Sequence, residues 1–143
     1  MSKSNSFESD LLLLVFNGVT INNLADDAAT SPVTDLYVSL HTSDPGEAGS
    51  QDTNEATYGS YARVAVPRDV AGWTMTGPAV ENAALVQFPQ CTSGTNTITH
   101  VGVGMDSSGT TKLLYSGALS ASLSVSSGIQ PQFAAGSLVI SED

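Results

Sequence analysis

Four carboxylates, Asp44, Glu47, Asp52 and Glu55, crowd one stretch of turn-forming residues that follows His41. Oxygen ligands gathered on a loop are what a calcium ion needs. Their spacing does not follow the EF-hand loop, so a solvated acidic loop is the expectation and no metal is assigned. His41 and His100 have no Cys-x-x-Cys, His-x-x-x-His or His-Glu-x-x-His spacing around them. Zinc sites draw several ligands from such patterns. Each histidine is therefore expected as a strand residue whose ring nitrogens meet backbone or water. Serines are plentiful, yet no Gly-x-Ser-x-Gly elbow occurs to present one as a nucleophile. Neither Gly-x-Gly-x-x-Gly nor Gly-x-x-x-x-Gly-Lys occurs, so no phosphate-cradling loop and no cofactor is expected. Trp73, Tyr61, Tyr115 and Phe88 could make a stacking platform for sugars. At alternating strand positions such rings usually fill a core, and that is the expectation here.

Composition narrows the partners. The formal net charge is −10 with only 4 Lys+Arg. Affinity for nucleic acid comes from basic side chains displacing counterions, so no nucleic-acid partner is expected. Cys91 is the one cysteine and cannot form an intrachain disulfide. The apolar run at residues 11–16 is too short to span a bilayer, and Glu8 and Asp10 precede it where an export signal carries positive charge. The expectation is a protein made in the cytoplasm, without export through a signal peptide and with no membrane partner.

The elements that must hold these residues read as follows. Residues 5–18, NSFESDLLLLVFNG, carry helix punctuation: Asn5 as cap, Glu8 three residues on, acidic residues at the positive end of the dipole, and Asn17 or Gly18 as the stop. Apolar residues wrap nearly all round this short helix, which calls for burial on more than one side. Residues 18–34 show no period and read as a connector. TDLYVSLHT then alternates, with Leu36, Val38 and Leu40 on one side and Tyr37, Ser39 and His41 on the other. Asp44-Pro45-Gly46 is a strong turn signal.

Further short runs follow between Gly, Pro, Asn and Ser clusters: YARVAV, GWTMT, ALVQF, TITHVGVGM, KLLYSGAL, SLSV, QPQF and GSLVI. In TITHVGVGM, Gly102 and Gly104 leave room for something to approach closely. Asp106-Ser-Ser-Gly reads as a hairpin turn. Eight or nine short strands indicate an all-β fold, an antiparallel β-sandwich of jelly-roll or immunoglobulin-like outline, with a short N-terminal α-helix. Residues 1–143 make one domain, with 1–34 as helix and connector and 35–143 as sandwich.

An ordered set of stretches resembles a family of small tailed-bacteriophage virion proteins: LYVSLHTSDPGEAGSQ, NEATYGSYARVAV, GWTMTG, NAALVQFP, ITHVGVGMDSSGTTKLLYSGAL and FAAGSLVISED. The resemblance implies a structural virion component that is not an enzyme, and it carries over no catalytic residue. Of its two forms, a capsid decoration or cement protein clamping the major capsid protein is expected first. A tail-fibre or tail-tip module that binds a host receptor or glycan is the alternative. Contact with that partner, or with copies of itself as a dimer or trimer, is expected through Leu12, Val15 and Phe16 of the helix and through Asp44, Pro45 and Glu47 of the loop. The helix is thereby expected to act as an anchor, so that deletion of residues 1–18 leaves the sandwich folded.

Overall fold

A computed structural model describes residues 1–17, 19–25, 33–76 and 79–141, except for the side chains of residues 12–17. Its strands are β1 (Ser2–Lys3), β2 (Asp35–His41), β3 (Val64–Pro67), β4 (Trp73–Thr76), β5 (Ala79–Asn82), β6 (Val86–Gln87), β7 (Thr95–Gly104), β8 (Leu113–Ser126), β9 (Gln132–Phe133) and β10 (Val139–Ser141). Among the described residues one helix, α1 (Asn5–Asn17), stands between β1 and β2. All pairings are antiparallel. The largest sheet has the order β1-β8-β7-β2-β3, and two smaller ones have the orders β10-β5-β4 and β6-β9. The fold is all-β and sandwich-like, with one short helix.

Alternation decides which face is buried. Val38, Leu40, Val66, Val101 and Val125 of the large sheet pack with Val86, Phe88 and Leu138, and Trp73 and Phe133 lie against that cluster. The small sheets thus close one face of the large one. Phe88, fully buried, sits between Tyr61, stacked at 6.2 Å, and Phe133, edge-on at 6.2 Å.

Three details differ from the sequence reading. The segments KLLYSGAL and SLSV are one strand, β8. Its register with β7 passes from His100↔Ala118 to Ile98↔Leu123, so that Thr99 alone stands opposite residues 119–122. This wide bulge breaks the period while the strand continues. Second, β5 had no strand signature, because Glu81 and Asn82 are poor strand formers. It is nonetheless the centre of its sheet: Val80 faces inward between Met75 and Ile140, and Asn82 accepts the Leu138 N–H at 2.8 Å.

Third, the helix cap is Ser4, not Asn5. Its hydroxyl accepts the Phe7 N–H at 3.4 Å and donates to the Leu113 carbonyl at 2.5 Å, which ties the helix start to β8. Ser4→Ala is expected to cost about 0.5–2 kcal/mol, the usual range for a lost cap, read as a shift in urea midpoint without a change in slope.

The N-terminal residues are more than an anchor. Ser2 and Lys3 pair with Ser116 and Tyr115, and Phe7 is buried against Leu114 and Ile21 and meets Tyr115 edge-on at 5.4 Å. Deleting residues 1–18 would therefore remove a strand and part of a core cluster, against the expectation of a detachable helix.

Candidate interaction surface

The acidic loop is folded back onto the second face of the large sheet. Gly102 and Gly104 of β7 make the room that the sequence suggested, and what fills it is this same chain. A side chain at Gly104 would strike the Gln51 amide and come within 2.7 Å of the Lys112 carbonyl. One at Gly102 would lie 2.6 Å from His41 Nε2. Gln51, fully buried, donates to the Tyr37 carbonyl at 2.7 Å and accepts from the Thr111 hydroxyl at 3.1 Å. A polar side chain survives burial there because both ends of its amide are partnered.

His41 is likewise buried. Nδ1 lies 2.8 Å from the Thr53 carbonyl and Nε2 lies 2.9 Å from the Ser39 hydroxyl. Burial lowers its pKa from the ordinary 6.5, more than the Thr53 bond and the Glu55 charge raise it. A histidine held below its unfolded value binds fewer protons when folded. Its stabilisation is therefore complete above about pH 6.5 and is lost as pH falls toward the folded value. The expected result is a melting temperature that falls on acidification below that point, with a flatter profile in His41→Gln over the same range.

Arg63 locks this loop to the β7–β8 turn. Its side chain is 2% exposed, and all five guanidinium N–H groups are used. Nε donates to Glu55 Oε1 at 2.7 Å and Nη2 to Glu55 Oε2 at 2.8 Å. The others reach the Asp106 carbonyl at 3.0 Å, the Gly109 carbonyl at 2.8 Å and the Thr111 hydroxyl at 3.1 Å. Gly109 adopts a φ of +82°, which shapes the expected turn. Tyr61 bridges this network to the core: its hydroxyl donates to Glu55 Oε1 at 2.8 Å and accepts the Leu40 N–H at 3.1 Å. Burial pushes the Tyr61 phenol far above its ordinary value.

Three of the four carboxylates turn to separate partners. Asp44 accepts the Gly46 N–H at 2.8 Å in the expected turn, and Asp52 accepts from Ser50 at 2.6 Å and Thr110 at 2.5 Å. Those two hydroxyls hold the Asp52 carboxyl below its usual range. Glu55 belongs to Arg63. Among the described residues no three possible metal ligands cluster. Sequence spacing gave no hint of the Arg63 network, whose members are joined only by the folding of the loop.

Of the expected contact residues, Asp44 and Glu47 are exposed, whereas Pro45 is buried. The Asn5 N–H donates to the Glu47 carbonyl at 2.9 Å, so the loop and the helix start share one surface. Lys112, paired with Asp10, extends it to the β7–β8 turn. The side chains of Leu12, Val15 and Phe16 lie outside the described residues.

A second feature lies at the opposite face of the large sheet. There the β10-β5-β4 sheet leaves an apolar cleft of about 360 Å³ against Leu36, Val103 and Tyr115. Trp73, Met75, Val80 and Ile140 form its other wall, with Arg68, Asp69 and Val70 at the rim. The suggested aromatic quartet is thus divided: Tyr61 and Phe88 are core, while Trp73 and Tyr115 line this cleft.

Among curated proteins none matches. The family model described as podophage GP4 fiber I protein gp80 matches residues 2–141, nearly the whole chain. With all three sheets, the acidic loop and the cleft falling inside that match, the chain belongs to the podophage GP4 fiber I protein family, a family of phage virion structural proteins.

Proposed function

We propose that this protein is a tail-fibre module that acts by binding a receptor or glycan on the host surface, with no turnover. The match over residues 2–141 to a fiber protein family carries the reading and favours the fibre over the capsid cement role expected first. The geometry supports binding over catalysis. The polar groups best placed for chemistry, Arg63, Glu55 and His41, are consumed in holding loops. What they hold is a stiffened surface of Ser, Thr, Asn and Asp side chains, which meets a ligand with little ordering cost. The helix start and Glu47 region is the surface proposed to join the module to a neighbouring virion protein.

The deciding experiment is immunogold labelling of intact particles, together with adsorption assays in which purified protein competes with phage. Gold on the tail and slowed adsorption are expected. Gold distributed over the head at high copy number, with adsorption untouched, would return the protein to the capsid shell.

A further inference from the structure

We infer that two copies of this chain pair through the outer edge of β4, closing the apolar cleft between them. Among the described residues β4 has β5 on one side and no strand on the other. The strand has neither charge nor proline, the devices that normally blunt an exposed edge. The Trp73 N–H is held by the Asp69 carbonyl at 2.9 Å, and the remaining groups along that edge form a template for another strand. The adjoining surface is apolar to an unusual degree for solvent: Met75 is 70% exposed and Val70 is 89% exposed. Inside the cleft, the indole N–H of Trp73 is buried without an acceptor.

The occupant follows from symmetry and charge. An antiparallel strand pair has its two-fold axis normal to the sheet, and such an axis passes only through directly opposed residues. A strand pairing with its own copy therefore sets one residue against itself, and the registers that overlap most of β4 set Thr74 against Thr74 or Met75 against Met75. In either register the Trp73 and Met75 side chains of both copies project from one face, because side chains alternate with period two. The two clefts then merge into a shared apolar seam, an isologous contact that closes on itself. Charge permits this only in a few places, since each copy carries −10. At the cleft rim Arg68 is adjacent to Asp69, so this patch meets its own image without a local excess of either sign.

The test uses the full chain in native mass spectrometry and sedimentation velocity across micromolar to millimolar concentration. A dimer is expected. Met75→Lys and Val70→Asp, both at exposed positions, should each weaken it at least about thirtyfold, the effect of losing an interface anchor. Leu85→Lys, at an exposed apolar residue away from the cleft, should leave it unchanged. Circular dichroism checks that each variant is folded, and the fluorescence of Trp73, the sole tryptophan, should shift with dimerisation. A monomer at every concentration, a trimer, or a dimer indifferent to both cleft substitutions overturns the inference. None of these outcomes bears on whether the protein sits on the tail.

Discussion

Arg63→Met is expected to destabilise the protein by about 3–5 kcal/mol, enough to remove much of the margin of a small domain. The loss is large because one change strands several groups. Glu55 keeps only the Tyr61 hydroxyl, and the Asp106 and Gly109 carbonyls and the Thr111 hydroxyl each lose a charged donor. Methionine fills the space and supplies none of the hydrogen bonds. Urea denaturation measures the effect, and a double-mutant cycle identifies its source. In Arg63→Met/Glu55→Leu the uncompensated carboxylate is gone, so the pair should cost less than the sum of the single changes. Additive losses would mean that the guanidinium acts through its carbonyl partners alone.

Phe88→Ala should cost a similar amount, about 3–5 kcal/mol, for a different reason. The ring is fully buried and flanked by Tyr61 and Phe133, so its removal leaves a cavity where the β6-β9 sheet meets the large one. Its neighbour Tyr61 also holds Glu55 and the Leu40 N–H. A Tyr61 ring that relaxes into the cavity would loosen the Arg63 network, so hydrogen exchange in residues 52–56 should rise along with the loss of stability. Phe88→Leu, which restores most of the volume, should recover the larger part of both effects. If Phe88→Ala unfolds at a wild-type urea midpoint, the three-ring stack does not hold the sheets together.

Both predictions join loop and core in a way that affects assembly. The exposed Asp44 and Glu47 positions depend on a loop clamped by Gln51, His41 and Arg63. Destabilising the clamp should therefore weaken any contact made through that loop before it unfolds the sandwich, because the loop's exposed backbone opens locally at lower cost than the core strands.

The local order of this protein was set by sequence. The alternation of Leu36, Val38 and Leu40, the Asp44-Pro45-Gly46 turn and the Asp106 hairpin each follow from short-range sterics and side-chain period, so the all-β class and most strands could be read directly. The two β7 glycines announced a close approach without saying by what. Tertiary structure alone decided the rest. Whether Gln51 is solvated or buried depends on a loop reaching Gly104, and whether Glu55 could hold a cation depends on Arg63, eight residues away along the chain and brought to it by the turn of the loop. The cleft is likewise a product of two sheets that diverge, lined from Leu36 to Ile140, residues with no common periodicity. Short-range patterns record what each segment buries; the partner against which it is buried is fixed only when distant segments compete for the same face.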